Sequence, residues 1–408
     1  MRKGEETSKS CESPRVAPIV TRRATRERLP PRPTVETASS TATFPIGNAS
    51  ATATQNPRRT LATAANPRVL PTARRISPRT NNPVAAVSSS SAAHNMNTDS
   101  STGRCLTIQS HVVSGYVGNK CAVFPLQLHG FDVDPILSVQ FSNHTGYGSW
   151  KGDVMTGDQL WSLVEGLDTN GLLEGYTHLL TGYIGSASML RTVARLVRKL
   201  RQINPDLVYV CDPVLGDNGK LYVPAELTEI YKEEIVPLAT ILTPNQFEAE
   251  LLTGLTISSE EEALAACAAL HDAGPPSVVL TSLDLDRDAN ASSAITLLGS
   301  TSEAQEERCG RRFRVVVPRI PSYFTGTGDL CAALLLAWTA KMPGRLGKAA
   351  ESAVASLQGV LRRTAEAQAE AEASGKTGIG CRELRLVQSI DELLRPKVTE
   401  GAEVTWLD

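Results

Sequence analysis

From Cys105 onward, short runs rich in β-branched residues alternate with longer stretches whose apolar positions recur at helical spacing. The runs predict strands over 104–109, 134–141, 178–183, 207–212, 240–243, 277–281, 294–298 and 314–318. The helical spacing predicts helices over 117–128, 187–202, 245–252 and 259–271, stopped at Gly130, Pro205, Gly254 and Gly274. Two more helices follow the last strand, an apolar one over 329–339 and a long, Ala-rich, charged one over 346–373. Strands that alternate with helices are the signature of a sheet covered on its faces by crossover helices, so a single α/β catalytic domain over 104–395 is expected. The stretch 284–312 lacks a dense core pattern and reads as an excursion around one short strand.

Charge divides the chain. Residues 1–95 hold 15 Lys or Arg against 5 Glu and no Asp, a balance of +10, which leaves −12 for the remainder. This first part is rich in Ser, Thr, Ala, Pro and Arg and has no apolar periodicity, so it is expected to be a disordered basic tail. An organelle-targeting segment is one reading of it; a dispensable tail, or initiation at Met96, is the other. No run approaches the roughly 20 apolar residues that cross a bilayer, so no membrane partner is expected. The acidic remainder argues against a nucleic-acid partner. The eight Cys are scattered, with no zinc spacing, which suggests reduced thiols and a cytoplasmic setting.

Ligands of open α/β sheets sit beyond the carboxyl ends of the strands, and polar clusters fall there. Gly326-Thr327-Gly328-Asp329 opens the apolar helix, where free N–H groups and the helix dipole favour a phosphate. A carboxylate beside such a hole could take a proton from an attacking hydroxyl, although Asp in a first helical turn is also favoured by the dipole alone. Asp212 and Asp217, five apart across a Pro and a Gly, could hold a hard cation, or Asp212-Pro213 could simply form a turn. Asn245 and Glu248 have the spacing of a capping box. His111 and His144 lack metal spacing and suit hydrogen bonding, Trp150 and Trp161 suit packing, and Leu334-Leu335-Leu336 suits a core.

Taken together, Ser110-His111-Val112-Val113-Ser114-Gly115-Tyr116-Val117-Gly118-Asn119, Ser138-Val139-Gln140-Phe141-Ser142-Asn143-His144-Thr145-Gly146-Tyr147, Asp212-Pro213-Val214-Leu215-Gly216-Asp217, Thr243-Pro244-Asn245-Gln246-Phe247-Glu248 and Gly326-Thr327-Gly328-Asp329 resemble the pyridoxal kinase family of the ribokinase-like superfamily. The likeness spans nearly all of 105–340. It implies a three-layer α/β/α sandwich with a mostly parallel central sheet, a homodimer, and ATP-dependent phosphorylation of the 5′-hydroxymethyl group of pyridoxal, pyridoxine and pyridoxamine in vitamin B6 salvage. On the same resemblance Asp329 matches the catalytic base, and Gly326, Thr327 and Gly328 the anion hole. Ser110, Val139, Phe141, Thr145 and Tyr183 match the vitamer pocket. Asp212, Tyr222, Asn245, Glu248, Thr281, Ser282 and Thr327 match the ATP site. Asp212, Asp217, Thr243 and Thr281 match the site of Mg²⁺ and a monovalent cation, K⁺ or Na⁺. The segment 218–221 is shorter than in animal relatives, 320–325 departs from the common adenine-flanking pattern, and residues after 373 carry no motif of the family. Three rivals are a hydroxymethylpyrimidine kinase, whose motif often has Cys where Asp329 stands, a catalytically silent carrier of pyridoxal phosphate, and a nucleic-acid-associated protein by way of the basic tail, which lacks any aromatic-interleaved basic motif.

Overall fold

The computed structural model describes residues 102–285, 293–305, 309–399 and 402–408; the basic tail 1–95 lies outside them. The first half of the fold runs β1 (Gly103–Val112), α1 (Asn119–Leu128), β2 (Phe131–Phe141), β3 (Gly152–Val154), α2 (Gly157–Thr169), β4 (His178–Thr181), α3 (Ala187–Ile203) and β5 (Val208–Cys211). A small hairpin, β6 (Gly216–Asp217) and β7 (Lys220–Leu221), leads into α4 (Glu226–Ile230). Then come β8 (Ile241–Leu242), α5 (Gln246–Thr253), α6 (Glu260–Asp272), β9 (Ser277–Leu283), β10 (Ala294–Thr301) and β11 (Arg312–Pro318). The chain ends with α7 (Thr327–Lys341), α8 (Leu346–Ala373), α9 (Ile390–Leu394) and β12 (Thr405–Trp406).

Ten strands form one sheet in the order β12-β11-β10-β9-β8-β5-β4-β1-β2-β3. The run from β9 to β2 is parallel throughout, and antiparallel strands extend it at both sides. The period-2 pattern of the strands decides which face each residue serves. Leu106, Ile108, Tyr209, Cys211, Val278 and Leu280 enter one core with α2 to α6. Cys105, Val210, Val279, Phe313 and Val315 enter the other with α1, α7, α8 and α9. Because both faces are covered, the parallel strands are apolar on both sides, and the sandwich has the three expected layers.

All eight expected strands are present, with ends shifted by up to three residues. The apolar helix α7 starts earlier than 329, at Thr327, and Leu334, Leu335 and Leu336 are fully buried in it. Beyond the expected elements stand α2, the β6–β7 hairpin, the short helices α4 and α9 and the short outer strands β3 and β12. Trp161 packs as expected, under the Arg195 guanidinium at 3.3 Å from the ring centroid. Trp150 does not, since it is exposed in the loop before β3. Among the described residues no helix is long and apolar enough to cross a membrane.

Candidate active site

β1, β2 and β4 are neighbours in the sheet, so their carboxyl ends bring the first group of candidate residues together. Ser110 pairs with Val139 and Val112 with Phe141, after a register shift at Gln109/Ser110. Tyr183 lies just past β4, where its carbonyl accepts a hydrogen bond from Ser138 Oγ at 2.6 Å. Val139 is buried, Ser110, Phe141 and Tyr183 are half-buried, and Thr145 is exposed on the loop after β2. That loop runs beside the one after β1: Val113 N–H donates to the Phe141 carbonyl at 2.9 Å and Ser114 N–H to the Ser142 carbonyl at 3.0 Å.

The loop after β1 then turns back on itself. Gly118 has φ 53°, and a Cβ there would lie 2.0 Å from the Ser110 carbonyl oxygen. From this position its N–H donates to Asp329 Oδ2 at 2.8 Å. Gly118 therefore sits between Ser110 and Asp329 and fixes the spacing of the two.

Asp329 lies in the first turn of α7, whose N-cap Gly326 (φ 81°) supplies no side-chain cap. The first N–H groups of a helix have no partner within it, so this turn is an uncapped donor cluster with a favourable dipole for an anion. Gly328 faces Asp212, whose Oδ2 would be 3.7 Å from an added Cβ. Burial raises the Asp329 carboxyl above the usual carboxylate range, and the Gly118 N–H offsets part of that.

The second group stands at the ends of β5, β8 and β9. Asp212 is buried, and burial, then the charges of Glu248 and Asp329, push its carboxyl well up. Thr243 and Thr281 hydroxyls donate to the Cys211 and Pro244 carbonyls at 3.3 and 3.4 Å. Ser282 is exposed beside Thr281. Asn245 and Glu248 do form the capping box of α5, and they also tie it to the hairpin. Asn245 Nδ2 donates to the Gly216 carbonyl at 2.8 Å, and Glu248 Oε1 accepts from Leu215 N–H at 3.0 Å. Burial raises the Glu248 carboxyl despite these bonds.

Asp217 differs from Asp212 in burial. It is exposed on the β6–β7 turn and accepts from Asn218 N–H and Asn218 Nδ2 at 2.8 and 3.0 Å. Tyr222 follows the hairpin; partial burial, then Asp217, Tyr323 and Glu248, push its phenol up to about 12. Tyr222 and Tyr323 of the 320–325 segment are thus within electrostatic reach of each other.

His144 is a hydrogen-bonding residue, as expected, and its partner is one the motifs did not include. Glu383, beyond α8, accepts from His144 Nε2 at 3.1 Å, from the Tyr147 hydroxyl at 2.9 Å and from Tyr116 N–H at 2.8 Å. His111 Nδ1 is buried without a partner. Among the described residues no group of three or more His, Cys, Asp or Glu could hold a metal ion by itself.

The raised Asp212 carboxyl has a testable consequence. Between its unfolded-state value, about 3.9, and its higher folded value, the folded chain keeps a proton that the unfolded chain has lost, so stability falls as pH rises through that window. Asp212→Asn removes this cost. The variant is expected to melt above wild type at pH 7 to 8 and to converge with it near pH 4, which a pH series of thermal melts without nucleotide would check.

A three-layer sandwich with an uncapped helix N-terminus and a carboxylate at its mouth is suited to receiving an anion beside a general base. The phosphomethylpyrimidine kinase model matches residues 175–374. The pyridoxal kinase of Arabidopsis thaliana is 55% identical over 304 residues, covering 74% of this chain and 95% of the relative, and that of Sus scrofa is 49% identical over 310 residues. The structure of Leishmania donovani pyridoxal kinase in complex with ADP has a TM-score of 0.67 and 38% identity, covering 75% of this chain and 99% of that one. The chain belongs to the pyridoxal kinase family.

Proposed function

We propose that this chain transfers the γ-phosphoryl group of ATP to the 5′-hydroxymethyl group of pyridoxal, pyridoxine and pyridoxamine, in vitamin B6 salvage, using the site around Asp329. The observation that carries the assignment of residues is the bridge through Gly118, which packs on Ser110 and donates to Asp329. Ser110, Val139, Phe141, Thr145 and Tyr183 hold the pyridine ring, and Asp329 takes the proton of the hydroxyl as its oxygen attacks. The N–H groups of Gly326, Thr327 and Gly328 receive the transferring phosphoryl group, whose loose transition state needs positioning and charge neutralisation. Asp212, Tyr222, Asn245, Glu248, Thr281 and Ser282 form the nucleotide side, with Tyr222 and the hairpin as its cover.

Magnesium fits the donor set. Mg²⁺ usually takes one or two carboxylates and completes its shell with water and phosphate oxygens, and the crowded carboxylates of Asp212, Glu248 and Asp329 favour a nearby cation. Asp212 would hold it, with Asp217 within the same acidic surface, and the ion would neutralise phosphate charge. The oxygens of Thr243 and Thr281 suit K⁺ or Na⁺. A homodimer is supported by the open sheet edge at β3, where Trp150 and Val154 are 46% and 50% exposed. The described Cys residues are free thiols, which supports a cytoplasmic setting.

The test is ATP-dependent formation of pyridoxal phosphate by the purified full chain with Mg²⁺ and K⁺, set beside hydroxymethylpyrimidine as acceptor. Turnover on the vitamers is expected. Turnover on the pyrimidine alone would overturn the reading in favour of the thiamin-pathway enzyme.

A further inference from the structure

Glu383 reaches the site from a segment that carries no catalytic motif. It follows the 3₁₀ turn Ile379–Arg382, and its side chain is 10% exposed. Its two oxygens accept three hydrogen bonds, from Tyr116 N–H, His144 Nε2 and the Tyr147 hydroxyl. The imidazole is used completely: Gly146 N–H donates to Nδ1 at 3.1 Å, so the proton sits on Nε2 and points at the carboxylate. Gly115 makes room for the same carboxylate, with φ 95° and an added Cβ only 2.4 Å from Glu383 Oε1.

The bonded groups belong to the loops that follow β1 and β2, the strands that carry Ser110, Val139 and Phe141, and the second of these loops carries Thr145. Tyr116 lies between Ser110 and Gly118, and Gly118 N–H supports Asp329. The Tyr116 carbonyl also lies against Gly326, where an added Cβ would be 2.5 Å away. Thr145 lies between His144 and Gly146, both fixed by this network. None of these bonds reaches Asp212, Asn245 or Glu248 on the nucleotide side.

We propose that Glu383 is a positioning residue that locks the 113–118 and 142–147 loops to each other, and so sets the vitamer pocket against Asp329. The inference rests on the assignment of the site given above. A carboxylate is required because all three partners donate. Glutamine would have to turn its NH₂ either toward Tyr116 N–H or toward the Nε2 proton of His144, and both are donor-to-donor contacts.

The full chain is assayed as wild type, Glu383→Gln, Glu383→Asp and Tyr147→Phe, with KM for pyridoxal, KM for ATP, kcat, thermal midpoint and pyridoxal affinity without nucleotide. Glu383→Gln is expected to raise the pyridoxal KM and Kd about tenfold or more, the size of a lost charge-assisted hydrogen bond, while the ATP KM stays within about twofold. Glu383→Asp is expected to recover part of that loss. Tyr147→Phe removes one donor and leaves the acceptor intact, so it is expected to shift the pyridoxal KM in the same direction by less, and it serves if Glu383→Gln does not fold. A lower thermal midpoint with both KM values unchanged, or an equal rise in both, would overturn the proposal. Wild type without vitamer turnover would instead overturn the assignment of the site.

Discussion

Asp329→Asn is expected to lower kcat by about 10²- to 10⁴-fold, the range for loss of a general base, while pyridoxal binding stays within about twofold of wild type. Asparagine has the same shape, and its carbonyl oxygen can still accept from Gly118 N–H, so the loop after β1 keeps its anchor. Only proton removal is lost. The pH profile supplies a second reading of the same residue. Burial raises the carboxyl, so kcat/KM of wild type should climb with pH through an apparent value above the usual carboxylate range, because only the ionised form can act as base. That acid limb should vanish from the residual activity of the variant. Rapid-quench measurement of pyridoxal phosphate formed, beside equilibrium binding of pyridoxal, would check both. A variant within about tenfold of wild-type kcat would mean that positioning and charge neutralisation carry the reaction without this base.

The residues that announced themselves in the sequence are those whose partners are close along the chain. Asn245 and Glu248 read as a capping box from their spacing, and they form one. The Leu334–Leu336 run read as core because it is apolar on every side, and α7 is enclosed between the sheet and its neighbours. Helix α2 carries equally local signals: Thr156 and Gln159 form a capping box, and Leu160 and Val164 stand four apart on its buried side. Strands β3 and β12 have three and two residues, too few for alternation to show, and exist because a neighbouring strand offers them an edge.

The site divides in the same way. Glycine spacing marks the start of α7 as a candidate anion hole, but the residue bridging it to Ser110 is Gly118, which only the folded loop reveals. Asp217 is tied to Asp212 by proximity in sequence; in the fold it is exposed beside an Asn218-Gly219 turn with φ of 51° and 75° and caps its own hairpin, while its charge still acts on Glu248. Glu383 stands 236 to 267 residues from its three donors, so no local pattern could associate them. Trp150 looked like a packing residue because it is large and apolar, but a side chain at an open sheet edge has nothing in its own fold to pack against.

Gly326→Ala is expected to damage the fold and the chemistry together. At φ 81° an L-residue is strained, at a cost of about 1–3 kcal/mol. The added methyl would also lie 2.5 Å from the Tyr116 carbonyl oxygen and 2.8 Å from Cys121 Sγ, so backbone has to move. The backbone in question is the loop that presents Gly118 N–H to Asp329. A single methyl group therefore shifts the helix start, the anion hole and the support of the base. A fall in kcat of about 10²- to 10³-fold is expected, the scale for displaced oxyanion-type donors, with a lower thermal midpoint. Gly328→Ala separates the two effects. Gly328 lacks a positive φ, and an added Cβ there meets only Asp212 Oδ2 at an ordinary 3.7 Å. Alanine is favoured over glycine inside a helix by about 1 kcal/mol, so this variant should melt at or above the wild-type temperature. Its methyl nevertheless narrows the gap between the first turn of α7 and Asp212, the space assigned to the phosphoryl group under the proposed function, so turnover should still fall. Wild-type kcat in both variants would show that the phosphoryl group is received elsewhere; wild-type melting and kcat in Gly326→Ala alone would show that the loop at Tyr116 yields without disturbing Asp329.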